Sequence, residues 1–183
     1  MKEAIEDHKR AKEVDPFNPM HIIWLAELYR MDGRLDEAEA EALKGIEMLP
    51  GVASGRFIMG RIYQDRGLHE KSIEVIQEGV AFDPSFKWAL GSAYVKAGRL
   101  DEARDILNEL NSLETNPWTA FWRVQLNAAL GNNDEAFRWT TYEPRHHWLA
   151  WARVLDWFDS SFLEDPRFPD LLRRMNLPPR EKP

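Results

Sequence analysis

The hexapeptide GRLDEA stands at Gly33–Ala38 and again at Gly98–Ala103, with blurred copies GLHEKS at Gly67–Ser72 and GNNDEA at Gly131–Ala136. The four glycines are 34, 31 and 33 residues apart. Five residues after each comes a small side chain: Ala38, Ser72, Ala103 and Ala136. Four residues before the first three comes a tyrosine (Tyr29, Tyr63, Tyr94), and Asn127 takes the fourth place. Pro16, Pro50, Pro84 and Pro117 punctuate the same period. A unit this short cannot bury its own apolar face, so a fixed period of this length means copies stacked on one another.

Each feature has a mechanical reading. Ile22, Leu25, Ala26 and Tyr29 recur at helical spacing before the first glycine. The glycine then stops that helix, because it tolerates the left-handed conformation that a helix end favours. Asp36, Asp101 and Asp134 are expected to open the next helix by accepting free backbone N–H groups. Asp36 and Glu39 also have the spacing of a capping box. A second amphipathic helix, with Ala38, Ala42 and Ile46, runs on to the proline that closes it. Small residues at Ala26, Gly60 and Gly91 let paired helices approach closely. The pattern predicts an all-α solenoid of helix hairpins.

Composition narrows the class. With 44% hydrophobic and 30% charged residues in 183, the chain is that of a globular protein. Its 24 basic and 31 acidic residues give a net charge of −7, which argues against a phosphate-binding surface and hence against nucleic acid as a partner. There is no cysteine, which removes disulfides and thiolate chemistry. No apolar run approaches the roughly 18 residues that a membrane span needs, and the charged start MKEAIEDHKRAKEV is no signal peptide. The cytoplasm is the simplest home, and no membrane partner is expected.

Catalytic signatures are missing too. The sequence holds no glycine-rich phosphate loop followed by Lys and Ser or Thr, and no GxSxG elbow. Arg145-His146-His147 invites a metal reading, but adjacent residues on a helix point about 100° apart, and the HExxH pattern is absent. The acidic run from Asp36 to Glu41 reads as a solvated helix face. No enzyme, metal or cofactor is expected.

The period with Leu25, Ala26, Tyr29, Ala38, Ala42 and Pro50 resembles the tetratricopeptide repeat. Met59, Gly60, Tyr63, Ser72, Ile76 and Pro84 resemble a next copy; Gly91, Tyr94, Ala103, Leu107 and Pro117 an irregular third. The fourth, Val124 to Trp139, lacks the tyrosine. On this likeness residues 1–18 carry the second helix of an incomplete repeat and 19–52 and 53–86 are full repeats. Residues 87–117 form a shortened one, 118–142 a degenerate one, and 143–183 capping helices.

The resemblance implies that the first helices line a concave groove for a peptide or helix. Transferred to this chain, it places Ile23, Phe57, Trp88 and Phe121 at equivalent groove positions, with Trp118 beside them. Glu27, Arg61, Ser92 and Gln125 follow one turn on, and Arg30, Gln64, Val95 and Lys96 lie beyond. Such a stripe either contacts a ligand with hydrophobic and acidic groups or packs against neighbouring helices. The carboxylate clamp for chaperone tails is not expected, because Ile23 and Glu27 stand where it needs Lys and Asn.

The pattern breaks in three places. Ala4, Ala11 and Pro16 match the second half of a repeat whose first half is missing. Either the native protein continues upstream, or that face of Ile5, Ala11 and Val14 pairs with something else, a second copy included. In the third repeat, Pro84 to Tyr94 is ten residues where Pro50 to Tyr63 is thirteen, a loss of nearly one turn from the start of its first helix.

Near the end, Trp148, Trp151, Leu155 and Phe158 form one helical stripe, followed by Phe168, Leu171, Leu172 and Met175 in another. Both suit an aromatic cap on the open end of a solenoid. GNNDEAFRW followed by EDPRFPDLLRRMNLP also resembles the tails of bacterial multidomain proteins in which such repeats follow a cyclase-like, kinase or winged-helix domain. The expected function is a non-catalytic interaction module in the regulatory or scaffold region of a larger bacterial protein. The alternative is a self-associating subunit.

Overall fold

The structure, a computed structural model, describes residues 1–142 and 157–179. Every regular element among them is helical, and they fall into two compact units, residues 1–97 and 98–183.

The first unit holds α1 (Lys2–Val14), α2 (Pro19–Met31), α3 (Leu35–Met48), α4 (Ala53–Asp65), α5 (His69–Phe82) and α6 (Lys87–Lys96). Helix α2 starts where Asn18 accepts a hydrogen bond from the Met20 N–H and Pro19 takes the first helical position. It stops at Gly33, whose φ is +77°. There Gly33 N–H donates to the Arg30 carbonyl (3.0 Å) and Arg34 N–H to the Tyr29 carbonyl (2.9 Å). This is a Schellman stop, and its geometry explains the repeated spacing: the tyrosine carries the outermost accepting carbonyl and the glycine is the left-handed residue four places later. Leu68 N–H to Tyr63 (2.8 Å) and Asn132 N–H to Asn127 (2.9 Å) repeat it.

The chain leaves this turn directly into the next helix, which corrects the expectation for the aspartates. Helix α3 begins at Leu35 with Arg34 at its cap and no side-chain cap hydrogen bond, so neither an Asp36 cap nor an Asp36–Glu39 capping box forms. The aspartates sit inside the first turn, where they still complement the helix dipole, and they pair with arginines instead. Asp36 accepts from Arg66 (2.6 Å), Asp101 from Arg104 (2.8 Å) and Asp134 from Arg167 (2.8 Å).

Three-residue turns join α2 to α3 and α4 to α5, so each pair lies antiparallel. Leu25, Ala26, Ala38 and Ala42 fill the first pair and Met59, Ile62, Ile73 and Ile76 the second, all buried. Each fully buried large side chain contributes roughly 1.5–3 kcal/mol. Gly60 lets α4 and α5 touch: a Cβ there would overlap Ile76 Cγ1 and Cδ1. Helix α1 packs on α2 through the buried Ile5, with the His8 ring edge-on to His21 at 6.1 Å. Helix α6 has ten residues where α2 and α4 have thirteen. The missing turn is replaced by a 3-10 turn at Pro84–Phe86, held by Asp83 accepting from Ser85 N–H (2.9 Å).

The second unit holds α7 (Leu100–Ser112), α8 (Pro117–Ala129), α9 (Asn133–Thr140), α10 (Ser160–Leu163) and α11 (Phe168–Arg174). Pro117 opens α8 and does not close α7: Asn116 and Thr119 form a reciprocal capping box around it. Phe158, Phe162, Phe168, Leu171 and Leu172 pack against Phe121, Val124, Ala136 and Phe137 of α8 and α9. Phe137 and Phe162 stack at 4.5 Å. The rest of the aromatic stripe, Trp148, Trp151 and Leu155, lies outside the described residues, as do Arg145, His146 and His147.

Arg123 occupies the α8 position that Leu25, Met59 and Leu90 hold in the earlier first helices, four residues before the tyrosine place. It is buried. Its guanidinium donates to the Leu110 carbonyl (3.1 and 2.9 Å), the Leu113 carbonyl (2.7 Å) and Thr115 Oγ1 (2.9 Å), and lies 4.4 Å from the Trp139 ring centroid. It thereby satisfies carbonyls that the end of α7 leaves open.

Two substitutions test this packing. Gly60→Ala is expected to lower unfolding free energy by about 1–3 kcal/mol through overpacking, read by urea denaturation; unchanged stability would show that α4 and α5 are not so close. Arg123→Leu restores the residue type of the other repeats, yet is expected to cost on the order of 1–3 kcal/mol because it orphans buried carbonyls. A neutral or stabilising result would mean that only hydrophobic filling matters at this position.

Candidate functional site

Helices α2, α4 and α6 stand side by side in the first unit, so residues in equivalent register come together across them. Phe57 of α4 meets Trp88 of α6 with ring centroids 5.4 Å apart, and Phe86 of the 3-10 turn at 5.8 Å. Such offset, tilted pairs add about 0.5–1.5 kcal/mol beyond their area burial. The Arg61 guanidinium lies 5.8 Å from the Phe57 centroid.

One turn further on, charge replaces aromatic surface. The Glu27 carboxylate accepts from Arg30 Nε (2.9 Å) and Nη2 (3.1 Å), and from Arg61 Nη1 (2.8 Å) across to α4. Arg30 Nη1 reaches the other way, to Asp65 Oδ2 at 2.6 Å. Glu27, Arg30 and Arg61 are buried, while Asp65 is exposed. Burying such ions is tolerable only with two-pronged geometry of this kind, in which each desolvated oxygen finds an N–H.

The expected stripe is therefore not open surface. Ile23, Phe57, Trp88 and Phe121 are only 4%, 8%, 7% and 4% exposed. Ile23 lies in the seam of its own hairpin, where a Cβ on Gly45 of α3 would come within 2.9 Å of Ile23 Cγ1. Phe121 belongs to the second unit, edge-on to Phe158 at 6.2 Å in that unit's core. Large apolar side chains on the first helices gain more from burial against neighbours than from facing water.

Gln125 is also buried, and its Nε2 has no hydrogen-bond partner among the described residues. Accessible surface comes from Lys96 and Trp118, which are exposed, and from Gln64 and Ser92, which are half-buried. Gln64 Nε2 donates to Ser72 Oγ (3.1 Å) and Ser92 Oγ to the Trp88 carbonyl (3.1 Å). Sequence reasoning missed Asp65 and Phe86. Asp65 follows Arg61 by four residues, a spacing that puts both on one helix face, and that was the available signal. Among the described residues no cluster of three or more histidine, aspartate or glutamate side chains could hold a metal ion. No described helix is long and apolar enough to cross a membrane.

Two tetratricopeptide-repeat family models match the chain, over residues 20–44 and 59–111. It is 32% identical over 72 residues to a mitochondrial pentatricopeptide repeat-containing protein of Arabidopsis thaliana, a stretch covering 38% of this chain and 12% of that protein. It is 23% identical over 105 residues to the TPR repeat-containing protein YpiA of Bacillus subtilis, covering 56% of this chain and 25% of that protein. The chain thus spans about an eighth and a quarter of these two relatives.

Among solved structures, a thermophilic TPR protein of Thermus thermophilus superposes with a TM-score of 0.61 at 18% identity, covering 94% of this chain and 87% of the other. YrrB, described as a TPR protein with an unusual peptide-binding site, gives 0.51 at 18% identity, covering 94% and 100%. At that identity the likeness speaks for the fold alone. The chain thus carries tetratricopeptide repeats over residues 20–44 and 59–111, set in an all-helical repeat fold, the fold of a protein–protein interaction module.

Proposed function

We propose that the chain is a non-catalytic module that receives a peptide or helix along the concave side of its first helices. The observation that carries this reading is the Glu27–Arg30–Arg61–Asp65 cluster beside the Phe57–Trp88 pair. Apolar residues alone would stack these helices at lower desolvation cost, so a wall built of charge has a use beyond stacking.

In this reading Gln64, Ser92 and Lys96 of the first unit touch the ligand. Glu27, Arg30 and Arg61 set the charge behind them, and Ile23, Phe57 and Trp88 shape the wall from below. The ligand class is a segment with apolar side chains and some acidic groups, complementary to Lys96 and the two arginines. The resembled tails favour a regulatory or scaffold region of a larger bacterial protein working in the cytoplasm, and the net charge of −7 speaks against a nucleic-acid partner.

A second reading is self-association through α1. Ala4 and Ala11 keep part of their surface in solvent, whereas their counterparts one period later, Ala38 and Gly45, are buried. Sedimentation analysis separates the readings, since a concentration-dependent dimer lost on Ala4→Glu favours the second.

Panning a random twelve-residue peptide library on the chain tests the first reading. Peptides with apolar and acidic residues should be enriched, and Lys96→Glu with Gln64→Ala should weaken them at least tenfold. No enrichment, or binding indifferent to that double variant, would sink it. Glu27→Ala and Phe57→Ala are unsuitable probes of binding. Both are expected to cost about 3–5 kcal/mol of stability, one by stranding two arginines and the other by opening a cavity, as urea denaturation would record.

A further inference from the structure

The three second helices of the first unit, α1, α3 and α5, run in the same direction, because each is antiparallel to the first helix that follows it across a short turn. Their C-terminal ends therefore share one edge. That edge carries large apolar side chains at a 34-residue period, Val14, Met48 and Phe82, each two residues before a proline. They are 87%, 37% and 54% exposed, and Phe17 in the turn after α1 is 84% exposed. A repeated apolar ridge left in water is a mark of an interaction surface.

The charges beside it are acidic and open. Glu13 and Asp15 at the end of α1, and Glu47 at the end of α3, are exposed and make no ion pair among the described residues. Elsewhere in this chain carboxylates commonly find an arginine or lysine, as Asp36, Glu37, Glu39 and Glu41 do. Carboxylates at a helix C-terminus also stand against the negative end of the helix dipole. Helix α3 has no basic residue in its last turn to offset this, and the Lys12 of α1 is already engaged by Glu41 at 2.7 Å.

The chain itself shows what such an edge accepts. At the next step along it, Arg56 of α4 donates to the Pro50 carbonyl and to Glu78 (3.3 Å), and its guanidinium lies 4.7 Å from the Phe82 ring centroid. One period earlier the residue equivalent to Arg56 is Ile22, so the turn after α1 and the Met48 side chain have no counterpart of this arginine.

We infer that this edge, from Val14 and Phe17 to Met48, docks a basic amphipathic helix of a partner protein. Its apolar face covers the ridge, and its lysines or arginines pair with Glu13, Asp15 and Glu47 and with the open carbonyls of the helix ends. The site is separate from the wall of α2, α4 and α6 and does not depend on that wall binding anything.

The probe is a fluorescein-labelled fourteen-residue peptide of leucine and lysine, with leucines at helical spacing, titrated against the full chain by anisotropy at low and moderate salt. A counterpart with glutamate for lysine serves as control. The lysine peptide should bind and the glutamate peptide should not. Val14→Ser with Phe17→Ser and Met48→Ser should weaken binding at least tenfold. Glu13→Gln with Asp15→Asn and Glu47→Gln should weaken it and flatten its salt dependence. All six residues are exposed, so circular dichroism should stay unchanged. Failure to bind, or binding indifferent to both edge variants, overturns the proposal; loss on Lys96→Glu instead would move the peptide to the wall. A dimer of the unliganded chain that dissociates on Phe17→Ser would make the occupant a second copy, which also overturns it.

Discussion

The hydrogen bond from the residue after Gly33, Gly67 and Gly131 back to the carbonyl of the tyrosine place sets the phase of each hairpin it closes. Arg34 N–H to the Tyr29 carbonyl closes the first helix and aims the second in one step. Once that angle is set, the same faces meet in the α2–α3 and α4–α5 hairpins, and small residues such as Gly60 can stand opposite large ones such as Ile76. The bond is made by backbone, so Asn127 keeps the turn although the tyrosine ring is gone.

Buried arginine recurs as a second theme. Arg30 and Arg61 share a carboxylate, Arg56 takes a carbonyl, a carboxylate and a ring, and Arg123 takes carbonyls, a hydroxyl and a ring. Only a planar fork with several donors in fixed directions can satisfy such mixed sets without leaving an N–H unmet. Four arginines are withdrawn from solvent in this way, against the buried Glu27 and Glu41. The outer surface is therefore more acidic than the net charge of −7 suggests. An acidic exterior over a wall containing buried cations gives the two faces opposite preferences: acidic segments on the wall, basic ones on the edge.

Much of the fold could be read from residue order. The period, the left-handed glycines, the hairpins and the shortened first helix follow from local chemistry, because a helix stop, a proline and an apolar face each act within a few residues. Expectation and structure part where a residue's role depends on a neighbour one repeat away. Asp36 has the chemistry of a cap, but Arg66 reaches it from thirty residues further on. Arg123 sits at a position where its counterparts are leucine or methionine, and nothing near it in sequence announces the carbonyls of α7 that hold it.

The candidate site divides the same way. Sequence alone determined which residues share a helix face: Ile23, Phe57 and Trp88 in one row, Glu27, Arg61 and Ser92 in the next. Helical periodicity fixes direction around an axis. Only the tertiary structure decided depth, sending Ile23 against Gly45, Phe121 into the core of the second unit, and Glu27 into full burial between two arginines. Direction is a property of one helix, whereas burial is a property of whatever packs against it, and the packing partner is chosen by the stack as a whole.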